Sequence, residues 1–209
     1  MTGMIQGMSA PVALASILCL TGCAFGTRQP TLIYPPVSSS VESSVAHAAP
    51  IPPAKNIQIV LVPFADQRSN KEVVGTVRNS FGMKTADVVP TNSVPDWVFQ
   101  AIRTELQNNG YTVISGTSGN NPASPNVVVS GEILNVFCDM YFSYTGQVSL
   151  IARVSRDGKE LLNKHYAGEG SAGLAFAMTG KSYAQSLALA LSSALKRFVS
   201  DLDKSLASE

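Results

Sequence analysis

Three residues have side chains that serve as nucleophile, base and orienting group in many hydrolases. Cys138 is followed by Asp139, and His165 is one of the two histidines of the chain. A thiol becomes a strong nucleophile when an imidazole takes its proton, and a carboxylate can orient that imidazole. Because such partners meet only in the fold, the sequence leaves this hydrolase hypothesis open. The alternative is that Cys138, in the apolar run Val136-Phe137-Cys138, is a small buried hydrophobic residue.

Two glycine-containing segments have part of the spacing of phosphate-binding loops. Gly168-Glu169-Gly170-Ser171-Ala172-Gly173 fits the dinucleotide pattern G-x-G-x-x-G, but no helix opens on it, so we interpret it as a mobile Gly-rich connection. Gly180-Lys181-Ser182 matches the end of a P-loop, yet Ala175 stands where the first glycine is required. We interpret it as the start of a helix, with Ser182 near the cap. Neither segment predicts nucleotide binding.

Composition and charge argue against several other ligand classes. The 209 residues carry 15 Lys and Arg against 14 Asp and Glu, and these charges are scattered singly. A surface that follows nucleic acid phosphates needs clustered basic residues, so no nucleic acid partner is expected. His47 and His165 stand apart from spaced Cys, Asp or Glu ligands, and no metal site is predicted. The sequence therefore predicts no cofactor and no enzymatic activity.

The clearest chemical pattern is the tetrapeptide Leu20, Thr21, Gly22 and Cys23, which ends an apolar run over residues 11–20. That run is about as long as the apolar core of an export signal and too short to cross a bilayer as a helix. The tetrapeptide resembles the lipobox of bacterial lipoproteins, in which the cysteine is lipidated and the signal is then cleaved. It implies a signal peptide over 1–22 and a membrane partner bound through lipid on Cys23. No Lys or Arg precedes Cys23, so the usual basic n-region is missing and the true start is left open.

The residue after Cys23 bears on location. In lipoproteins of this type an Asp there commonly marks retention in the inner membrane, whereas this chain has Ala24. The resemblance therefore favours the outer membrane, with the domain on its periplasmic face. Once Cys19 leaves with the signal and Cys23 is acylated, Cys138 has no cysteine with which to form an internal disulfide.

Composition divides the rest of the chain into a tether and one domain. Residues 23–55 hold half of the chain's prolines and very few charges, which predicts a flexible tether. The apolar stretch Thr31-Leu32-Ile33-Tyr34 is an exception that could pack as an extended strip on the domain or on a partner. Residues 56–209 are enough for a single periplasmic domain with one hydrophobic core.

Hydrophobic periodicity predicts the elements of that domain. Ser93 is expected to cap one helix that stops at Asn109-Gly110, and Asp157-Gly158 is typical of a tight hairpin turn. The predicted strands cover 57–62, 111–114, 127–136, 141–154 and 159–167, the second helix covers 182–205, and residues 72–89 form an arm that pairs within the chain or with another chain. We expect an α+β fold, a two-layer α/β sandwich with a mixed, mostly antiparallel sheet and two helices packed on one face.

A charged pair directly follows the first predicted strand. Asp66 and Arg68 are separated by Gln67, and an Asp in this position commonly accepts a hydrogen bond from the backbone two residues on. Local capping of the turn is therefore the simplest interpretation. The alternative is that the carboxylate and guanidinium contact a partner.

Several of these features occur together in one known family. They are the lipobox, Ala65-Asp66-Gln67-Arg68, the stretch from Val74-Gly75 to Gly82, the stretch from Leu106 to Gly110-Tyr111, and the long closing helix. In these features the chain resembles the YajG-like family of uncharacterised outer-membrane lipoproteins. The resemblance implies no known enzymatic activity and no assigned ligand. We expect a non-enzymatic binding module with an envelope protein as partner, or alternatively an auxiliary lipoprotein of a transport or secretion machine that handles lipid or substrate.

Overall fold

A computed structural model describes residues 26–34, 55–116, 127–174 and 180–208. The elements are β1 (Gln58–Leu61), β2 (Ala65–Asp66), β3 (Gly75–Arg78), β4 (Lys84–Val88), α1 (Val94–Asn108), β5 (Thr112–Ser115), β6 (Val127–Met140), β7 (Ser143–Arg156), β8 (Lys159–Leu174) and α2 (Gly180–Ala207). They form one mixed sheet with two helices, which confirms the predicted α+β fold.

Strand β6 is the spine of the sheet. One of its edges pairs with β7 in antiparallel fashion along its length, and its other edge pairs in turn with β1, β2 and β3, all parallel to it. A β-bulge at Leu134 adds one unpaired residue, so buried positions are odd up to Ile133 and even from Val136. Because side chains alternate along a strand, the bulge keeps both halves of β6 facing the same core.

Helix α1 begins and ends where the sequence predicts. The backbone N–H of Asp96 donates to Ser93 Oγ at 3.3 Å, and this bond satisfies one of the unpaired amides at the N-terminus. Gly110, with φ of 85°, follows the helix in the left-handed conformation that glycine adopts without strain. The apolar face between these ends is buried, and it carries Trp97, Val98 and Ile102 into the core.

Helix α2 packs so closely on β7 and β8 that three positions beneath it are glycines. A Cβ placed on Gly146 would lie 2.6 Å from the Ser186 carbonyl, and one on Gly170 would lie 2.5 Å from the Ala190 nitrogen. Gly168 also faces the helix, where a Cβ would overlap the Ala190 carbonyl oxygen. The prediction that 168–173 is a mobile connection was wrong: these residues belong to β8, and the glycines at 168 and 170 admit the helix backbone.

The two hairpins differ in how well their sequence predicted them. Asp157 and Gly158 turn β7 into β8 with φ of 51° and 81°, as expected for a tight turn. Residues 72–89, for which pairing within or between chains was left open, pair within the chain. Their strands β3 and β4 are antiparallel to each other, and β3 joins the sheet through β6.

The apolar strip near the N-terminus packs on the domain. Leu32 is buried, and its backbone is held by Asn92, whose Oδ1 accepts from the Leu32 N–H at 2.8 Å and whose Nδ2 donates to the Leu32 carbonyl at 3.0 Å. The Tyr34 hydroxyl donates to Glu105 Oε1 on α1. This part of the predicted tether therefore lies against the domain.

Candidate interaction site

Two turns at one end of the sheet expose a cluster of large apolar side chains, which we call the apolar tip. Phe81 and Met83, in the turn between β3 and β4, are 83% and 59% exposed. Tyr141 and Phe142, in the turn between β6 and β7, are 39% and 67% exposed, with ring centroids 4.0 Å apart. Clustered exposed aromatics are unusual on a soluble surface and mark candidate contact sites.

The strand pairing brings the two turns together. Since β3 runs parallel to β6, with Val77 opposite Met140, both strands end at the same end of the sheet. The Tyr141 hydroxyl donates to the Ser80 carbonyl oxygen at 3.2 Å and so connects one turn to the other. The apolar tip is thus formed by two turns that lie about sixty positions apart in sequence.

Polar bonds fix the shape of the first turn. Asn79 Oδ1 accepts from the backbone N–H groups of Phe81 and Met83, each at 3.0 Å. Arg78 Nε donates to Asp139 Oδ1 at 2.8 Å, and Arg78 Nη1 donates to the Gly82 carbonyl at 3.0 Å. These bonds hold the backbone while the apolar side chains project outward. The exposure of the apolar side chains is therefore set by the hydrogen bonds of the turn.

A groove of about 330 Å³ lies beside the apolar tip, between β3–β4, β6 and the loop that follows β2. Among its lining residues are Arg68, Thr76, Arg78, Asn135 and Phe137. Its charges are paired: Arg78 with Asp139, Arg68 with Asp66, and Lys84 with Asp87 at 2.6 Å. Each cation in the lining is therefore already bonded to a carboxylate.

Asp66 and Arg68, singled out by sequence, form a bidentate ion pair in which Arg68 is buried and Asp66 is partly buried. Arg68 Nε and Nη2 donate to the two Asp66 carboxylate oxygens at 2.9 Å each, and Nη2 also donates to the Lys71 carbonyl at 2.7 Å. Burial raises the pKa of Asp66, but the hydrogen bonds and charge of Arg68 outweigh this, so the pKa lies below its usual range. The pair organises the loop over 66–73, as expected of local capping.

The structure does not bring the residues of the hydrolase hypothesis together. Cys138 is fully buried with its Sγ 3.1 Å from Ser186 Oγ, and burial raises the pKa of its thiol to about 12. His165 is exposed on β8, five residues from Gly170, which is in register with Cys138 through Gly146. Five strand residues span about 16 Å, so the imidazole cannot take the thiol proton.

The other predicted features have separate outcomes. Leu20, Thr21, Gly22 and Cys23 lie outside the described residues. Gly180-Lys181-Ser182 forms the first turn of α2, which begins at Gly180. Within the described ranges, no three His, Cys, Asp or Glu side chains gather as metal ligands, and neither helix combines the length and apolar character needed to cross a bilayer.

Comparison with known proteins assigns the chain to a family. A family model described as "Uncharacterized lipoprotein" matches residues 48–206, about three quarters of the chain. The chain belongs to this lipoprotein family. Membership confirms the YajG-like resemblance and indicates that this lipoprotein is anchored at a membrane of the cell envelope. No curated protein matches its sequence.

Two solved structures share the fold of this lipoprotein. One is a protein from Xanthomonas campestris of the family DUF330, 11% identical, with a TM-score of 0.53 over 83% of this chain and 92% of that one. The other is described only as an uncharacterized protein, 9% identical, with a TM-score of 0.53 over 85% of this chain and 99% of that one. At such low identity the likeness establishes the fold alone.

The apolar tip of this lipoprotein was missed by sequence reasoning. Tyr141 was expected in a strand, whereas β7 begins at Ser143 and Tyr141-Phe142 forms the turn. Turns between strands usually carry Gly, Asn, Asp or Pro, because these residues suit the backbone angles. An aromatic pair between two long strands, and Phe81-Gly82-Met83 between two short ones, were the available signal.

Proposed function

We propose that this lipoprotein is held by lipid on Cys23 at the periplasmic face of the outer membrane, where it acts as a non-enzymatic module that binds another envelope component. The observation that carries the proposal is the apolar tip. A soluble domain gains nothing in water from two exposed Phe rings on hydrogen-bonded turns, and such patches usually mark contact surfaces.

The distribution of reactive groups supports a binding role over catalysis. Cys138 is enclosed beneath α2, and burial disfavours the thiolate that a nucleophile requires. Asp66 and Arg68 bond to each other and to their own loop. The exposed apolar side chains at the tip are therefore the stronger functional feature.

Metabolic labelling tests the anchor. Cells expressing the wild type or Cys23→Ala are given an alkyne fatty acid, and their inner and outer membranes are separated. We expect label on the wild type alone, and wild-type protein in the outer-membrane fraction. Label that persists in Cys23→Ala, or protein that fractionates with the inner membrane, would contradict the corresponding part of the proposal.

Site-specific photocrosslinking tests the contact surface. Benzoylphenylalanine replaces Phe142 at the apolar tip or Lys159 at the opposite end of β7 and β8, and intact cells are irradiated. We expect adducts to envelope components from position 142 and few from position 159. Equal yields from both positions, or none from position 142, would show that the tip is not a binding surface.

A further inference from the structure

We infer that the apolar tip contacts the lipid leaflet that holds the Cys23 anchor, so that the domain docks on its own membrane. This inference rests on the proposed anchor and names the component that the tip binds. It follows from the path of residues 26–34, which we call the N-terminal strip, from the length of chain between them and Cys23, and from the chemistry at the two ends of the sheet.

The N-terminal strip runs in the same direction as β4. Arg28 forms a parallel bridge with Val88: its N–H donates to the Asp87 carbonyl at 3.1 Å, and its carbonyl accepts from Val89 at 2.8 Å. Pro30 continues the pattern by accepting from the N–H of Thr91. Because β4 leads away from the turn at Asn79–Met83, the N-terminal end of the parallel strip points back toward that turn.

Chain length then limits where the anchor can be. Cys23 precedes Arg28 by five residues, and Met83 precedes Val88 by five. Five residues span at most about 17 Å, so Cys23 can reach the level of the apolar tip and cannot extend far past it. Gly26, the first described residue, is three residues and at most about 10 Å from Cys23. A lipid on Cys23 therefore holds this end of the domain close to the bilayer.

The chemistry of the two ends of the sheet agrees with this orientation. The end nearer the anchor carries Phe81, Met83 and Phe142, whereas the opposite turn reads Arg156-Asp157-Gly158-Lys159-Glu160. Around the tip the charges are paired, as Arg78 with Asp139 and Lys84 with Asp87. Because these charges are paired, insertion depends mainly on apolar burial, so neither anionic lipid nor low salt is required.

Spin labels measure which end enters lipid. The lipidated protein carries Ser80→Cys at the tip or Lys159→Cys at the opposite turn, labelled with a nitroxide and reconstituted in phosphatidylcholine vesicles. Cys138 is buried and Cys23 is acylated, so the introduced thiol is the one that reacts. We expect the Ser80 label to be relaxed severalfold more by oxygen, relative to a water-soluble nickel chelate, than the Lys159 label.

Variants establish that the exposed rings cause the insertion. In the Ser80-labelled protein, Phe81→Ser with Phe142→Ser should return the oxygen-to-nickel ratio to the value at position 159. The matched control Leu189→Ser removes an exposed apolar side chain from α2 and should leave the ratio unchanged. Replacing phosphatidylcholine with mixtures rich in phosphatidylglycerol should also have little effect.

The outcomes separate this inference from the proposed anchor. Protein that floats with the vesicles while the Ser80 label stays in water would overturn membrane docking and leave the anchor intact. The tip would then be free for a protein partner, as adducts from position 142 would report. Protein that carries no lipid and does not float would overturn the anchor itself.

Discussion

The face of the sheet beneath α2 and the apolar tip use similar side chains in opposite ways. Phe198 of α2 is fully buried and packs edge-on against Tyr166, with the two ring centroids 5.6 Å apart, whereas Phe142 at the tip is mostly exposed. The strands continue from one region into the other, so the covering element makes the difference. This contrast suggests that folding stability resides under the helix, while the tip is free to serve binding.

Truncating one aromatic ring in each region should produce the largest contrast. Phe198→Ala removes a fully buried ring and leaves a cavity, so we expect a loss of about 4 kcal/mol in the free energy of unfolding. Phe142→Ala should change it by less than about 0.5 kcal/mol, as exposed positions generally do. Urea denaturation of the two variants and the wild type measures both values. Similar losses at the two sites would mean that the tip is part of the folding core.

A single added methyl group tests how tightly the helix lies on the sheet. Gly168→Ala places a Cβ 2.8 Å from the Ala194 nitrogen and closer still to the Ala190 carbonyl, so α2 must shift. We expect a loss of about 3 kcal/mol in the free energy of unfolding, at the upper end of overpacking effects. The control is Gly158→Asn in the β7–β8 turn, where a Cβ meets no atom within 4 Å and Asn tolerates the positive φ. Equal stability of the two variants would refute close helix packing as the role of Gly168.

Local signals in the sequence were sufficient for several elements. Ser93 as an N-cap and Asp157-Gly158 as a tight turn each depend on one side chain or one pair of backbone angles, and both predictions are confirmed. The alternation of apolar and polar residues from Gly146 to Val154 along β7 is a further local signal, and its apolar positions are the buried ones. These features are set by neighbours in the chain, so no knowledge of distant contacts is needed.

Features that depend on distant contacts were not predictable in the same way. The Gly-rich end of β8 suggests a loop when taken alone. Its glycines are explained by α2, which packs on them through the small residues Ser186, Ala190 and Ala194, spaced by four. The apolar tip depends on parallel pairing of β3 with β6, which no local pattern encodes. Likewise, Cys138 and His165 could be separated only once the register of three strands was known.

The loop over 66–73 differs from both regions, because an ion pair and not apolar packing holds it in place. Arg68→Met leaves the Asp66 carboxylate without its partner, and we expect a loss of about 2 kcal/mol in the free energy of unfolding at pH 7. The folded pKa of Asp66 lies below its unfolded value, so the pair stabilises fully above about pH 4 and less as pH falls through the folded pKa. The difference between variant and wild type should therefore shrink in acid. A difference that stays constant with pH would show that Arg68 acts by packing alone.

Among the substitutions expected to destabilise the domain, the smallest loss concerns Cys138, which also tests the division between covered face and tip most directly. Cys138→Ala removes a small buried group and its contact with Ser186 Oγ, so a loss of about 1 kcal/mol is expected. Because the native thiol is fully buried and its pKa is raised to about 12, a disulfide reagent at pH 8 should modify it only through unfolding. In Cys23→Ala protein, which has no lipid anchor, a cysteine introduced at Ser80 should react at the rate of an ordinary exposed thiol, and urea should accelerate labelling of Cys138 in parallel with unfolding. Rapid labelling of Cys138 in the native protein would mean that α2 opens readily over β6. That result would remove the distinction between the two regions and restore the thiol as a candidate nucleophile.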